Sequence, residues 1–483
     1  MFQFQSAPNL SPLSPHLTVS MVAKKYAPLL GLTCTILGSL PLAEVPTANA
    51  QGVQGNSPAA VPAVRVADST LAPADERLIL RAANRADFLA WQQSTRQKLL
   101  KVLGIPNDRV ALNAEKRGES EHDGVVLEKW VFTSEPGSRL PAVLYRPKSS
   151  PGPMPAVVLT FGHGGSKSQW SYNYAGMLYA KLGVAVLAID PIGEEERDVR
   201  GRLGTRAHDP EIVNSQADKA GRLIMGKLVF DTMRGIDFLC QRKDIDSTRL
   251  GVMGNSLGGA KASWMAALEP RLKMAIVCGW AYDDITIHSK FCTKLSNERM
   301  RRLCSWPEFA ALAAPGCALL IMNGDADWVI DQNRDGSAWT GTKAVFADAA
   351  RASKALGGEG KIEAWFESQG GHRPYFDYTK ALEWTHQHLG TPGFTLHQIR
   401  ALPTLNAGKW CDAHDVQLER LYGTQLHDRG ATLVDLNLRP TPRNDLTCLR
   451  PSELGSPDFT IDGWLEVIAA NHMRTRGELK SKE

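Results

Sequence analysis

The chain has 483 residues, of which 43% are hydrophobic and 22% are charged, and its formal net charge is +4. These proportions are those of an ordinary globular protein, and the length suggests one large domain with additions, or two domains. The small net charge and the lack of a dense basic stripe in the sequence argue against nucleic acid as a partner.

Residues 1–50 have the pattern of a leader and an export signal. Two lysines at positions 24 and 25 form a positive region, an apolar stretch follows over 26–42, and Ala48-Asn49-Ala50 has the small-x-small pattern of a cleavage site. The apolar stretch is short for a bilayer span and contains Gly and Pro, which favours a cleaved signal over a retained anchor. We therefore expect an exported protein, periplasmic or secreted, without a membrane span after cleavage. Residues 51–74 are Ala- and Pro-rich and predict a linker.

A large domain is expected over residues 75–394. Apolar side chains among charges in residues 75–104 predict one or two amphipathic helices. Two early strands, Val125–Phe132 and Leu140–Tyr145, are predicted on either side of a turn that contains Pro136 and Gly137.

Strands and helices then alternate. Further strands are predicted at Ala156–Phe161, Val184–Ile189, Leu250–Met253, Met274–Cys278, Ala318–Met322 and Ile362–Phe366, and helices at Ser171–Leu182, Lys227–Gln241 and Thr379–Leu389. The strands are almost wholly apolar, which is typical of parallel strands buried on both faces. The predicted fold class is α/β, with a mostly parallel, doubly wound sheet, antiparallel N-terminal strands and helices on both faces.

The segment Gly254–Gly259 stands between a predicted strand and an apolar helix, and it holds Ser256 among glycines. A serine on such a strand-to-helix turn is typical of a nucleophile elbow. The turn strains the serine backbone and leaves no room for a side chain at Gly254 or Gly258. Its Oγ would stand at a helix N-terminus, where the dipole stabilises negative charge. Ser256 is the candidate nucleophile, and the alternative is a glycine-rich turn with a capping serine.

A candidate acid and a candidate base follow two later strands. Asp327 is the preferred acid and Asp325 the alternative, although turn aspartates give the same pattern. His372 follows two glycines and is the preferred general base. The alternative is that it is a histidine of a surface loop without a catalytic role. Because the carboxyl ends of parallel strands meet at one edge of a sheet, these side chains are expected to meet Ser256.

The remaining site residues are predicted from their position after strands. The backbone N–H of Gly164 or Gly165, with that of Leu257, is expected to bind the oxyanion, and His163 to support the loop. Three tryptophans are candidate substrate-binding residues, because aromatic rings suit sugar rings or aromatic acyl groups: Trp170, Trp280 and Trp328. Ordinary packing explains their positions equally well. Residues 194–226 form a charged insertion whose arginines and His208 either touch an anionic or sugar substrate or are solvated.

Eight cysteines are present, and Cys34 lies in the export signal, which leaves seven. Cys292 with Cys304, and Cys411 with Cys448, are the candidate disulfides that an exported protein permits. The sequence has no CxxC, HExxH or histidine-rich ligand spacing, so no metal and no cofactor is expected.

The ordered set of motifs resembles an α/β-hydrolase over residues 120–390. The motifs are, in chain order, His163-Gly164-Gly165, Asp190-Pro191-Ile192-Gly193, Gly254–Gly259, Gly324-Asp325-Ala326-Asp327 and Gly371-His372. Within that superfamily, residues 140–147, 190–197 and 231–239 resemble the acetyl xylan esterase and dienelactone-hydrolase-like branch. The resemblance implies ester hydrolysis through Ser256, His372 and Asp327. Dienelactone hydrolases proper use a cysteine nucleophile, so their activity is not carried over.

We therefore expect an exported serine carboxylesterase that forms an acyl-enzyme and acts on short-acyl, acetyl-type esters of carbohydrates, with a small-molecule or carbohydrate ester as its partner. One alternative is a prolyl-oligopeptidase-like serine peptidase, against which the lack of a propeller-like segment counts. Another is a non-catalytic hydrolase-fold binding protein, against which the complete set of serine, acid and histidine counts. Residues 395–483 form a C-terminal extension for which the sequence suggests no role.

Overall fold

A mixed β-sheet runs through the part of the chain that the structure describes. The structure is a computed structural model that describes residues 84–202, 204–283, 290–327, 329–330, 337–355, 357–358, 360–416 and 431–480. The predicted export signal (1–50), the predicted linker (51–74) and Trp328 lie outside the described residues. Within the described residues, no helix is both long enough and apolar enough to cross a membrane.

Nine strands, all in described segments, form the main sheet. They are β1 (Glu115–His122), β2 (Val125–Glu135), β3 (Ser138–Pro147), β4 (Met154–Thr160), β5 (Ala185–Ile189), β6 (Ile245–Asn255), β7 (Leu272–Cys278), β8 (Ala318–Gly324) and β9 (Ile362–Glu367). Their order across the sheet is β1-β2-β3-β5-β4-β6-β7-β8-β9. The pairs β1–β2, β2–β3 and β3–β5 are antiparallel, and the other five pairs are parallel. The predicted fold class is confirmed.

Helices cover both faces of this sheet. They are α1 (Arg85–Leu103), α2 (Trp170–Lys181), α3 (Glu211–Lys219), α4 (Ile224–Cys240), α5 (Leu257–Leu268), α6 (Phe291–Leu303), α7 (Trp306–Ala311), α8 (Ser337–Ala355), α9 (Thr379–Leu389), α10 (Leu396–Arg400), α11 (Ala407–Ala413) and α12 (Ile461–Lys480). A small second sheet pairs β10 (Thr404–Asn406) with β11 (Thr432–Val434) antiparallel. Both belong to the C-terminal extension.

Two hydrophobic clusters, one on each face, explain why the buried parts of the central strands are largely apolar. In β4, Ala156 and Val158 join the cluster that contains α4 and α5. Val157 and Leu159 point the other way, into the cluster that contains α2 and α9. Because successive side chains of a strand alternate between faces, a strand buried on both sides must be apolar at every position.

β1 is an additional strand that the sequence analysis did not predict. Its sequence, EKRGESEH, has no apolar residue, and its side chains are half-buried or exposed. An edge strand with charged side chains avoids pairing with other molecules, but it has none of the apolar pattern by which strands are predicted.

The described part of the C-terminal extension packs against the main sheet. Trp464 in α12 is fully buried and belongs to the α4–α5 cluster, whereas Trp410 in α11 is 6% exposed and belongs to the α2–α9 cluster. The backbone N–H groups of Cys448 and Leu449 donate to the Glu196 carboxylate, at 2.9 and 2.7 Å. The extension therefore completes the core on both faces.

The two predicted disulfides are wrong. All seven cysteines from Cys240 to Cys448 carry free thiols. Cys292 Sγ faces Asp209 and His163, at 3.1 Å from each, rather than Cys304. Cys448 Sγ donates to the backbone oxygen of Ala142 at 3.3 Å rather than meeting Cys411.

A buried ionic group anchors α12 to the sheet through Glu135. This carboxylate pairs with Lys227 at 2.9 Å and with Arg222 at 2.8 Å, and it accepts a hydrogen bond from Trp464 Nε1 at 3.0 Å. Burial alone would raise the pKa of Glu135, but the charges of Lys227 and Arg222 lower it to about 2. Lys227 also pairs with Asp231 at 2.7 Å, which is itself paired with Arg197 at 2.7 Å.

We predict that Glu135→Gln lowers the free energy of unfolding at pH 7 by about 3 kcal/mol, because Arg222 loses its carboxylate partner and the buried Lys227 loses one of its two. The pKa of Glu135 is lowered from 4.5 to about 2. Its stabilising contribution is therefore complete above pH 4.5 and lost as the pH falls through 2. Urea unfolding of both proteins between pH 2 and 7 should show the difference shrinking in that window.

Glu119→Gln is the matched control. Glu119 pairs with Lys116 at the surface, with 55% of its side chain exposed, so its removal should change stability by less than about 1 kcal/mol. A Glu135→Gln effect as small as the control's, or one that does not vary with pH, would contradict the role given to this carboxylate.

Candidate active site

The turn between β6 and α5 has the geometry of a nucleophile elbow. β6 ends at Asn255 and α5 begins at Leu257, so Ser256 alone makes the turn. Its backbone has φ +59° and ψ −122°, a strained conformation for a residue other than glycine. The Ser256 N–H donates to the backbone oxygen of Cys278 at 3.0 Å, which fastens the elbow to β7. Ser256 itself is half-buried.

The elbow is held by close backbone contact with the end of β4. A Cβ on Gly254 would lie 2.1 Å from Thr160 Oγ1, and a Cβ on Gly258 would lie 2.3 Å from the Thr160 backbone oxygen. The Thr160 hydroxyl donates to the backbone oxygen of Gly258 at 2.8 Å. Only glycine fits at both positions, because any side chain there would force β4 and α5 apart.

Asp327 and His372 meet beyond the ends of β8 and β9. His372 Nδ1 lies 2.7 Å from Asp327 Oδ2, and the other carboxylate oxygen accepts the Val329 N–H at 3.0 Å. Asp327 is fully buried and His372 is 5% exposed. A hydrogen bond from Nδ1–H to the carboxylate leaves Nε2 with its lone pair, as a general base requires.

The structure separates the two acid candidates. Asp325 is exposed, and its carboxylate accepts the backbone N–H of Gln369 at 2.5 Å. It therefore closes the turn that leads to the histidine loop, whereas Asp327 contacts His372 directly. Asp325 is a turn residue here.

Gly279 lies between the elbow and the histidine. A Cβ on Gly279 would lie 2.4 Å from Asn255 Oδ1 and 2.9 Å from His372 Cε1. The side chain of Asn255, which precedes Ser256, and the ring of His372 thus both lie close to Gly279. Ser256 Oγ has no hydrogen-bond partner among the described residues. In enzymes without substrate, the bond from nucleophile to base is often long and tightens only in the complex.

The predicted oxyanion donors Gly164 and Gly165 both use their N–H groups in hydrogen bonds within the protein, and oxyanion binding by them stays a prediction. Gly164 N–H donates to Glu194 Oε1 at 3.0 Å, and Gly165 N–H donates to the backbone oxygen of Gly162 at 3.0 Å. Burial raises the pKa of the accepting Glu194 carboxyl to about 8. The loop is therefore held by hydrogen bonds that occupy both of these N–H groups.

The backbone N–H groups of His163 and Leu257 are another pair of candidate donors. Neither backbone N–H has a hydrogen-bond partner among the described residues. Leu257 is the first residue of α5 and follows Ser256 directly. His163 follows Gly162 in the loop after β4, and a Cβ on Gly162 would lie 3.1 Å from Ser256 Cβ. The sequence analysis missed the N–H of His163, since only the bonds made by its neighbours identify it.

The predicted substrate-binding tryptophans make packing contacts. The ring of Trp170 stacks on Trp410 with centroids 5.4 Å apart, and Trp280 is 6% exposed within the hydrophobic core. The side chain of Asn323 bonds both the N–H and the carbonyl of Trp280, at 3.3 and 2.8 Å. Substrate contact by either ring stays a prediction.

Part of the insertion over residues 194–226 is buried. Arg197 and His208 are fully buried, so the alternative of solvated side chains is wrong for them, and substrate contact stays a prediction. Arg197 pairs with Asp231, and His208 Nδ1 lies 2.9 Å from the backbone oxygen of Ile192. Arg206 is half-buried, and its guanidinium approaches the Cβ position of Gly164 to 3.4 Å.

Comparison with known proteins agrees with this fold. Residues 106–282 match the family model of acetyl xylan esterase. The solved structure of a methylesterase, BT1017, superposes with a TM-score of 0.55 at 16% identity, and the match covers 83% of this chain and 78% of that one. The chain has an α/β-hydrolase fold. The family match over residues 106–282 confirms the predicted resemblance to acetyl xylan esterases.

Further matches are more partial. A putative acetyl xylan esterase from Bacteroides fragilis NCTC 9343 has a TM-score of 0.49 at 16% identity, covering 62% of the hydrolase and 79% of that chain. The putative hydrolase YtaP of Bacillus subtilis is 29% identical over 192 residues, which are 38% of this chain and 62% of YtaP. The uncharacterized peptidase YuxL of the same organism is 28% identical over 159 residues, 32% of this chain and 22% of YuxL. The hydrolase thus spans less than two thirds of the length of these two curated relatives.

We predict that Gly258→Ala destabilises the hydrolase by about 3 kcal/mol or more, because the new methyl group would stand 2.3 Å from the Thr160 backbone oxygen. Gly152→Ala is the control, since a Cβ there would meet nothing within 4 Å. Urea unfolding measures both. Equal stability of the two variants would contradict the close contact between elbow and β4.

We also predict that Asp327→Asn slows fluorophosphonate labelling of Ser256 by about 10⁴-fold, because His372 would lose the partner that sets its tautomer. Asp325→Asn should change the rate by less than tenfold, since its bond to Gln369 lies outside the site. Labelling is followed by mass spectrometry of the peptide that carries Ser256. Equal slowing in both variants would contradict the assignment of Asp327.

Proposed function

We propose that this hydrolase is an exported serine carboxylesterase that cleaves short-acyl esters of carbohydrates through Ser256, His372 and Asp327. The observation that carries the proposal is a strained serine elbow at the same sheet edge as a buried histidine–carboxylate pair. The match of residues 106–282 to acetyl xylan esterase supports a carbohydrate ester as the substrate. No cofactor takes part in the proposed reaction.

The mechanism follows from the order of these groups. His372 Nε2 takes the proton from Ser256 Oγ as the oxygen attacks the ester carbonyl. The N–H groups of Leu257 and His163 donate to the oxyanion, and the dipole of α5 adds to their field. The alcohol leaves with the proton from His372, which then activates water to release the acid from the acyl-enzyme.

The oxyanion donors, Asp327 and the α5 dipole each stabilise the transition state in a different way. One oxyanion donor is typically worth about 3 kcal/mol of transition-state stabilisation. The buried Asp327 holds His372 in the tautomer that accepts a proton and stabilises the imidazolium that forms. Because Ser256 stands at the start of α5, its developing charge lies where a helix favours anions.

The peptidase alternative has one observation in its favour, the partial similarity to YuxL, an uncharacterized peptidase. A serine peptidase would use the same three side chains, so the geometry of the site does not separate the two activities. A non-catalytic binding protein would have no need of the strained elbow or of the buried Asp327.

Export rests on residues 1–50, which lie outside the described residues. Its test is N-terminal sequencing of the protein recovered from the periplasm or medium of a bacterial host. A mature chain that begins at Gln51 supports the proposal, and a chain retained in the cytoplasm with an intact N-terminus contradicts it.

We predict that the full-length protein hydrolyses p-nitrophenyl acetate faster than the butyrate and octanoate esters, and that it releases acetate from acetylated xylan. Ser256→Ala should lower kcat by at least about 10⁴-fold, because the covalent route is lost. Ser263→Ala is the control, since this serine lies on α5 but bonds the backbone oxygen of Ala260 at 2.7 Å.

Peptide p-nitroanilides are tested beside the esters. Turnover of peptides in preference to acetyl esters would support the peptidase alternative and contradict the esterase. Turnover of neither, with no fluorophosphonate label on Ser256, would support the binding-protein alternative.

A further inference from the structure

Four side chains with metal-binding atoms converge behind the loop that contains Gly162. They are His163, His208, Asp209 and Cys292, and one ligand atom from each lies within 4.8 Å of all the others. The Nε2 atom of His163 is 3.0 Å from Asp209 Oδ1 and 3.1 Å from Cys292 Sγ. Cys292 Sγ is 3.1 Å from Asp209 Oδ1, and His208 Nε2 is 4.0 Å from the same oxygen.

His208 has one ring nitrogen whose hydrogen-bonding capacity is not satisfied by any described residue. It is fully buried, and its Nδ1 lies 2.9 Å from the backbone oxygen of Ile192, so Nδ1 carries the proton. The remaining nitrogen, Nε2, has a bare lone pair that points into the cluster and has no hydrogen-bond partner among the described residues. A buried polar atom left unpaired costs about 1–3 kcal/mol.

This arrangement is the one that metal-binding histidines adopt. Their second ring nitrogen typically donates to a backbone carbonyl or a carboxylate, which fixes the tautomer and aims the free lone pair at the ion. Asn214 adds to this support, since its side chain donates to the backbone oxygen of His208 at 2.9 Å. The rings of His163 and His208 are nearly parallel, 20° apart, with centroids separated by 5.9 Å.

We propose that His163, His208, Asp209 and Cys292 form a four-ligand site for zinc or a similar divalent transition metal. Two imidazoles, a thiolate and a carboxylate are donors that zinc takes in tetrahedral sites. Bond lengths of about 2.0–2.3 Å place tetrahedral ligand atoms roughly 3.3–3.8 Å apart, within the range of separations in this cluster. Small side-chain rotations therefore suffice for binding.

The charges balance in this site. On binding, Cys292 gives up its thiol proton to solvent, and the thiolate and the Asp209 carboxylate together neutralise a divalent ion. Both histidines bind as neutral rings through Nε2. All four positions are filled by protein, which is typical of a structural site rather than one that activates water.

The proposed metal site lies next to the loop that approaches the Ser256 elbow. The ring of His163 would bind the metal, and its backbone N–H is the oxyanion donor proposed above beside Ser256. The ion would join this loop to residues 208–209 and to the first turn of α6, and so hold one oxyanion donor in place. His163 is thus a positioning residue, and the metal takes no part in the ester chemistry.

Metal content and spectra of the full-length protein test the proposal without any activity assay. The protein, purified without chelator, should carry one zinc per chain by elemental analysis. After exchange, Co²⁺ should give the intense visible bands of tetrahedral cobalt and a near-ultraviolet thiolate-to-cobalt charge-transfer band. Less than one tenth of a zinc per chain, together with no such bands on adding Co²⁺, would overturn the site.

Variants identify the ligands. Cys292→Ser should abolish the charge-transfer band, and His208→Gln should weaken zinc binding by more than about 100-fold, since even outer-shell partners cost about 10- to 100-fold. Cys304→Ser is the control, because Cys304 is equally buried, at 2% exposure, and stands at the other end of α6. An unchanged band in Cys292→Ser would overturn the proposal.

A thermal measurement covers the case in which the variants fail to fold. Added zinc should raise the melting temperature of the chelator-treated wild type, because a ligand of the folded state stabilises it in proportion to ln(1 + [Zn²⁺]/Kd). No shift at zinc concentrations up to 100 µM would overturn the site. Loss of esterase activity alone would bear on the proposed function and not on this site.

Discussion

The contact between the β6–α5 turn and the end of β4 is the constraint on which the site depends. Backbone atoms of Thr160, Gly254 and Gly258 lie too close together to admit any Cβ. This contact holds Ser256 in its strained conformation and brings the loop after β4 beside it. The proposed nucleophile and the loop that carries a proposed oxyanion donor are thus fixed by the same packing contact. The strain is stored in the turn and balanced by the buried strands around it.

Buried carboxyl groups hold several segments in place around this centre. Glu194 accepts the Gly164 N–H, Glu196 accepts two N–H groups of the C-terminal extension, and Glu135 binds α12. Each carboxyl group ties a segment distant in sequence to the loops at the edge of the sheet. A buried carboxylate that loses its partners is costly, so these contacts favour one arrangement of the loops. The C-terminal extension is therefore part of the framework of the hydrolase.

The sequence predicted those features that have a local pattern. The central strands have mostly apolar runs because both faces of the sheet are covered. The elbow could be predicted because the serine stands among glycines that the close backbone contact requires. The acid could be narrowed to two aspartates, but only the meeting of Asp327 with His372 across 45 residues distinguishes them. β1 was not predicted because its sequence has no apolar residue. The backbone N–H of His163 was not predicted as a candidate oxyanion donor, because the sequence does not show which neighbouring N–H groups are already hydrogen-bonded. The cluster around His208 was invisible because its four residues are scattered over three regions of the chain.

The central claim is that Ser256 becomes acylated by an ester substrate. Its most direct test is acid quenching of the enzyme within milliseconds of mixing with p-nitrophenyl acetate, followed by proteolysis and mass spectrometry. The account predicts one acetyl group on the peptide that contains Ser256, which disappears as substrate is exhausted. An acetyl group on any other residue, or turnover without an acetylated peptide in wild-type enzyme, would contradict it.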